Sequence, residues 1–358
     1  MSSSGFDLPG PGNGNGLAPG EAAGDGGIPY ASLTPDLILD AMEAAGFEPD
    51  GRLLALNSYE NRVWQAGLEG TAPVVVKFYR PGRWSDAAIL EEHAFVQQLA
   101  DAEIPAVPAI ARDGATLLAH AGFRFAVFPR CGGREPELDR ADTLTWLGRF
   151  IGRIHAVGAT RPYVARPAID VDTFGMAPRD WLLAQGCIPA ELRPAWQAVA
   201  DLAIEGVRRC YERAGELPLL RLHGDCHRGN VLWIEEGQAG TRPPGPHFVD
   251  FDDSRMGPAV QDLWMLLEGE RAAQQGQMAD ILAGYEDFAE FNPRQLYLIE
   301  ALRTLRLLHY SAWLASRWRD PAFPAAFPWF GTARYWQDRI LELREQVALM
   351  DEPPLWPV

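Results

Sequence analysis

The segment His223-Gly224-Asp225-Cys226-His227-Arg228-Gly229-Asn230 is followed twenty residues after Asn230 by Asp250, at the end of a short apolar run. A carboxylate beside a glycine, an amide five residues on and a carboxylate at a strand end are the groups needed for phosphoryl transfer from a magnesium-bound nucleotide. Asp225 would orient an attacking hydroxyl and accept its proton. Asn230 and Asp250 would supply oxygen ligands to Mg2+ on the ATP phosphates. An Asp of ordinary pKa is a weak base, so positioning contributes more than outright proton removal. The bland alternatives, a turn-capping Asp and an ordinary turn Asn, explain each residue singly but not their joint spacing.

Further residues extend this constellation. Asp252 lies two positions after Asp250 and in an extended backbone would project to the same side, to help a second ion or to order the loop. Lys77 follows the apolar Val74-Val75-Val76, an expensive place for an unpaired ammonium. A nucleotide phosphate and a glutamate would resolve that cost; Glu92 is the preferred partner, with Glu91 competing. Ser58, in the polar turn Asn57–Asn61, would cover the triphosphate with its hydroxyl and neighbouring N–H groups. No GxxxxGK[ST] sequence is present, and no GxGxxG is placed between a strand and a helix. His223 reads as a loop organiser and His155 as a packed residue near a helix end. His227 either approaches a substrate phosphate or hydrogen-bonds the loop.

The elements that must position these groups change character along the chain. Thr34-Pro35 is a helix start, with Leu37, Ile38, Ala41, Met42 and Ala45 at helical spacing. Strands are expected at Leu53–Leu56, Arg62–Ala66, Pro73–Tyr79, Thr116–Ala119 and Phe123–Phe128. A helix over Ser85–Ala102 would bury Ile89, Glu92, Phe95, Val96 and Leu99. After Phe128-Pro129-Arg130, where the lobes would join and backbone groups would receive adenine, helices dominate. They are expected near 143–157, 195–213 and through 261–348, with breaks at Asn292-Pro293 and over 320–328. The expectation is an α+β chain with a strand-rich N-terminal lobe over 31–128 and a larger helical C-terminal lobe over 129–358. Residues 1–30, with nine glycines and four prolines, lack core material and read as a flexible extension. The aromatic stretch from Trp313 to Trp336 reads as C-terminal packing, with a peptide-docking surface as the sharper alternative.

The bulk properties narrow the class. Apolar residues make up 47% and charged residues 22%, as in soluble globular proteins. The formal charge of −16 repels nucleic acid and anionic membranes over long range, so neither is an expected partner. No apolar run is long enough to span a bilayer, and the N-terminus lacks a secretory signal. Four widely spaced cysteines suggest free thiols in a reducing cytoplasm, with Cys226 an inert packed residue rather than a redox sensor.

The 223–230 segment, together with Val249-Asp250-Phe251-Asp252, resembles the bacterial kinase-like phosphotransferases related to aminoglycoside and choline kinases. Lys77–Pro81, Glu91-Glu92-His93, Gly257–Leu267, Leu305–Tyr310 and Pro321–Phe330 narrow the resemblance to the stress-response serine/threonine protein kinases of that fold, over about residues 31–348. The resemblance implies a bilobal, protein-kinase-like fold, ATP, Mg2+, Asp225 as catalytic base, and Asn230 and Asp250 as metal ligands. It further implies protein seryl or threonyl acceptors, self-phosphorylation and a cytoplasmic role in envelope or oxidative stress; a monomer is expected. The catalytic motif is shared with small-molecule kinases, so an amino alcohol, a homoserine-like compound or a sugar is the alternative acceptor. A noncatalytic nucleotide-regulated module is the third reading. The Asn57–Asn61 turn departs from the glycine-rich loop of standard protein kinases.

Overall fold

Thr34 accepts a hydrogen bond from the Leu37 amide and Pro35 occupies the first turn, so the first helix begins where capping chemistry places it. The computed structural model describes residues 28–237 and 243–356. The glycine-rich extension expected over 1–30 therefore lies, up to residue 27, outside the described residues. In chain order the elements are α1 (Pro35–Ala44), β1 (Pro49–Ala55), β2 (Arg62–Leu68), β3 (Thr71–Phe78), α2 (Asp86–Asp101), β4 (Leu118–His120) and β5 (Phe123–Pro129). There follow α3 (Ala141–Gly158), α4 (Ala177–Gln185), α5 (Arg193–Ala214), β6 (Leu220–Arg221), β7 (Val231–Ile234), β8 (Gly245–Phe248) and β9 (Met256–Gly257). The chain continues through α6 (Val260–Trp264), α7 (Arg271–Tyr285), α8 (Ile299–Arg317), α9 (Ala322–Ala326) and α10 (Ala333–Leu349).

The chain divides into two units. The first comprises residues 28–136 and Arg228–Asp253; the second comprises Glu137–His227 and residues 254–356. The first unit holds an antiparallel sheet of order β1-β2-β3-β5-β4. Strand alternation gives each face a task. Val74, Val76 and Phe78 on β3 pack with Ile38, Ala41 and Met42 of α1. Lys77 points to the opposite face. Its cross-strand neighbour Ala126 packs there with Ala88 and Ile89 of α2. Helix α2 is capped by Ser85, the residue where a helix was expected to begin, and buries Ile89, Glu92, Phe95, Val96 and Leu99. The β7–β8 hairpin belongs to this unit, pairing Val231 with Phe248 and Ile234 with Gly245. The Phe248 amide bonds the Pro105 carbonyl at 2.8 Å, and Phe251 meets Phe95 edge-on.

The second unit is built mainly from helices. Helices α3 and α7 approach closely because glycines line their contact. A Cβ at Gly148 would fall on the Ile281 carbonyl oxygen, and one at Gly284 on the Thr145 carbonyl oxygen. The short ladder of β6 with β9 flanks the segment that carries Asp225. The aromatic stretch is mainly a packing device: Trp313, Phe323, Phe327, Phe330, Tyr335 and Trp336 are buried and contact one another. Trp329 remains exposed. No described helix is long and apolar enough to cross a membrane.

Candidate active site

In the first unit, Lys77, Asn61, Arg83, Asp250, Asp252 and Asp253 form one charged cluster. The Lys77 ammonium lies 3.0 Å from Asp250 Oδ1 and 3.1 Å from Asp252 Oδ1. Burial by itself would lower the Lys77 pKa, but Asp250, then Asp252, outweigh it and hold the ammonium well above its ordinary value. Glu92, the expected partner, is buried on α2 but adds only a smaller attraction. Asp250 and Asp252 thus meet the ammonium directly, and Glu92 contributes beside them. Spacing along the sheet and α2 cannot foresee a carboxylate arriving from 173 residues away.

The segment after β8 also differs from an extended strand. Asp250 has φ of +61°, a left-handed conformation uncommon outside glycine, and Phe251–Asp253 turn through a single 3-10 turn. The two aspartates therefore do not project from one extended edge, as strand alternation suggested. Asp252 is fully buried. Its Oδ2 accepts from Asn61 Nδ2 at 3.0 Å and from Arg83 Nη1, while Arg83 Nη2 donates to Asp253 Oδ1 at 2.6 Å. With Lys77 and Arg83 both against it, Asp252 is suited to ordering the loop. Asp250 keeps a side chain 19% exposed.

Asn230 ends a 3-10 turn at the same end of the β7–β8 ladder, because its carbonyl accepts the Val249 amide at 3.0 Å. Asn230 and Asp250 thus flank one hairpin end and present an amide and a carboxylate, the hard oxygen donors that Mg2+ prefers. Among the described residues, no group of three His, Cys, Asp or Glu side chains forms a cage of its own. Ser58 Oγ donates to the Asn61 carbonyl at 3.1 Å, so its hydroxyl shapes the 57–61 turn. The same turn is anchored through Glu60, which pairs with Arg80 Nε at 3.0 Å.

In the second unit, Asp225 follows Gly224, whose φ of +88° lets the chain turn sharply. The Asp225 side chain is 2% exposed, and its Oδ1 accepts from Arg306 Nη1 at 2.8 Å. His227 Nε2 stands 3.4 Å from Oδ2. Burial would raise the Asp225 pKa; Arg306 and then His227 reverse this and hold the carboxyl below the usual carboxylate range. Cys226, fully buried, has its thiol pushed well up by burial and by Asp262 and Asp225, as befits an inert packed residue.

The loop backbone is fixed by residues the motif does not contain. Asp262 accepts the amides of His223 and Gly224, each at 2.8 Å, and lies 3.0 Å from His155 Nε2. His155 Nδ1 in turn meets the Tyr285 hydroxyl at 3.0 Å. Gln261 Nε2 donates to the Gly224 carbonyl at 3.1 Å, and Ser254 Oγ to the Leu222 carbonyl at 2.5 Å. The close α3–α7 contact thus sets His155 and Tyr285, and through them Asp262. Asp262 and Arg306 were not legible as site residues. The available signal was a charge inside an apolar helical run, Val260-Gln261-Asp262-Leu263-Trp264, which demands a buried partner.

Residues 52–299 match the model of the phosphotransferase enzyme family. The chain is 44% identical over 326 residues to stress response kinase A of Escherichia coli (strain K12), covering 91% of this chain and 96% of that protein. It is 43% identical over 331 residues to the serine/threonine protein kinase RdoA of Salmonella typhimurium (strain LT2), covering 92% and 98%. Among solved structures, amicoumacin kinase hAmiN in complex with AMP-PNP, Ca2+ and its ligand superposes with a TM-score of 0.67. At 18% identity over 90% of this chain and 95% of that one, this likeness is one of fold.

Proposed function

We propose, from the premise that this chain belongs to the phosphotransferase enzyme family, that it is a serine/threonine protein kinase using ATP and Mg2+. The observation that carries the acceptor class is the 43–44% identity, over more than nine-tenths of the chain, to relatives whose names say stress response kinase and serine/threonine protein kinase. Asp225 orients the seryl or threonyl hydroxyl and accepts its proton as the hydroxyl oxygen bonds to the γ-phosphorus and ADP departs. Because Arg306 and His227 favour its ionised form, Asp225 acts more by placing the hydroxyl than by strength as a base. Asn230 and Asp250 hold the metal, which supplies charge neutralisation at the phosphates. Lys77, in contact with Asp250 and Asp252, would supply its ammonium to the phosphates of a bound nucleotide, while Asp252 and Asn61 hold the loop and the 57–61 turn in place. Glu92 keeps the buried surroundings of Lys77 acidic, and Ser58 shapes the turn over the triphosphate. Self-phosphorylation, a role under envelope or oxidative stress and action as a cytoplasmic monomer belong to the same reading.

The test is to incubate the full chain with Mg2+ and γ-labelled ATP and compare label in protein with transfer to a panel of amino alcohols, homoserine analogues and sugars. An Asp225→Ala control accompanies each reaction. Label in protein, lost in the control, is the expected result. Transfer to a metabolite with none to protein moves the assignment to a small-molecule kinase.

A further inference from the structure

The backbone of the Asp225 loop is already held on several sides. Asp262 takes two of its amides, Gln261 one carbonyl and Ser254 another. None of these bonds reaches the Asp225 carboxylate. Arg306, which projects from α8, does reach it, donating Nη1 to Oδ1 at 2.8 Å. Among the described residues this is the ion pair that Arg306 makes, and its side chain stays 20% exposed rather than sealed in the core. Its neighbour Arg303 is engaged elsewhere, with Glu300 at 3.1 Å and Gln274 at 2.9 Å. Helix α8 is a firm base, packed against α4, α5 and α10.

We propose that Arg306 is a positioning residue for phosphoryl transfer, fixing the plane and the charge of the Asp225 carboxylate through Oδ1. The inference rests on the reading of Asp225 as the group that takes the hydroxyl proton. In the step, the hydroxyl oxygen bonds to the γ-phosphorus, the bond from phosphorus to the bridging oxygen breaks, ADP leaves with that electron pair, and the proton passes to Asp225. A guanidinium fixed on one carboxylate oxygen limits rotation about the Cβ–Cγ bond, so the carboxylate meets the hydroxyl in one orientation. It also keeps the carboxylate ionised. Arg306 from α8 and His227 from its own loop face Asp225 as potential cations, Cys226 adjoins it, and Asp262 of α6 holds the loop backbone.

The experiment measures transfer from Mg-ATP to a randomised seryl/threonyl peptide library, with the full chain carrying Arg306→Met, Arg306→Lys or Asp225→Asn. Arg306→Met should lower kcat by about 30- to 100-fold, the scale of an ångström-level misplacement, with the KM for ATP little changed. Its acid limb should move to higher pH, because losing the cation raises the Asp225 pKa and activity requires the ionised form. Arg306→Lys should restore part of kcat and most of the limb, since it returns a point charge without the planar fork. Thermal melts of each variant establish that it folds. A folded Arg306→Met variant with the wild-type kcat and acid limb overturns the inference. So does a loss of kcat that leaves the acid limb in place and is not relieved by Lys, because that pattern marks a purely structural arginine. Wild-type transfer by Asp225→Asn overturns the underlying reading of Asp225 instead, which separates the two failures.

Discussion

The two units hold their key aspartates by opposite means. In the first, Asp250, Asp252 and Asp253 are met by side-chain cations, Lys77 and Arg83, with Asn61 adding an amide. In the second, Asp225 stands on a loop clamped through backbone amides by Asp262, and Arg306 from α8 and His227 from the loop meet its carboxylate. The difference follows from the tasks proposed for them. A carboxylate that exchanges a lysine for a metal ion needs counter-charges that can move, and an ammonium on a flexible stem suits this. A carboxylate that places a hydroxyl needs a fixed frame, and buried hydrogen bonds to backbone provide one. Substitutions in the first unit should therefore appear as changed dependence on Mg2+ and ATP. Those in the second should appear in kcat and in stability.

The largest expected effect is that of Asp225→Asn, which keeps the shape and removes the proton acceptor. A lost general base costs about 10²- to 10⁴-fold in rate, while nucleotide affinity should hold. Parallel measurements of peptide phosphorylation and ATP-analogue binding decide this, and a matching loss of binding would break the contrast. Next comes Asp250→Ala. Turnover should fall by at least about 10²-fold at fixed Mg2+, in the range set by loss of electrostatic stabilisation of the transferring group. Activity retained at comparable Mg2+ and ATP would remove Asp250 from the metal site. The melting temperature should change little, because the side chain is 19% exposed and Lys77 keeps Asp252 as a partner.

Asp262→Ala should act in the other currency. It orphans the amides of His223 and Gly224, and each buried unsatisfied donor costs about 1–3 kcal/mol. The loss should reach at least about 2 kcal/mol in a denaturant titration, with Asp262→Asn milder because one acceptor oxygen remains. A stability change confined to a few tenths of a kcal/mol would show that the loop does not depend on this clamp.

Legibility from sequence followed the same division. Local chemistry was readable: the helix start at Thr34-Pro35, the alternation of β3 and the buried face of α2 all match their patterns. The proposal for Asp225, Asn230 and Asp250 drew on a short-range signal, their spacing around a tight turn and a strand end, and the turn at Gly224 and the β7–β8 hairpin end are where that spacing placed them. What escaped was long-range. Arg83 meets Asp252 across 169 residues, Asp262 meets His155 across 107, and Arg306 meets Asp225 across 81, distances at which periodicity carries no information. Lys77 illustrates the boundary. Its position inside an apolar strand foretold a carboxylate partner, but its identity depended on how the chain beyond β8 turned, and a left-handed residue at Asp250 set that turn.

Ser58→Ala gives the smallest effect and the finest test. The hydroxyl donates one bond, to the Asn61 carbonyl at 3.1 Å, and a half-buried bond of this kind contributes about 0.5–1.5 kcal/mol. Asn61 itself is tied more firmly, through Nδ2 to Asp252 and through Oδ1 to the Arg80 amide at 3.1 Å. Removing the Ser58 hydroxyl therefore loosens a turn whose far end stays anchored. The KM for ATP should rise by about two- to threefold, the equivalent of half a kcal/mol or slightly more, with kcat unchanged. Asn61→Ala should exceed it in ATP dependence, because it leaves Asp252 with fewer partners. Equal effects from the two substitutions would mean that the Ser58 hydroxyl itself contacts nucleotide, and that this turn binds phosphate through its side chains rather than through the shape they impose on its backbone.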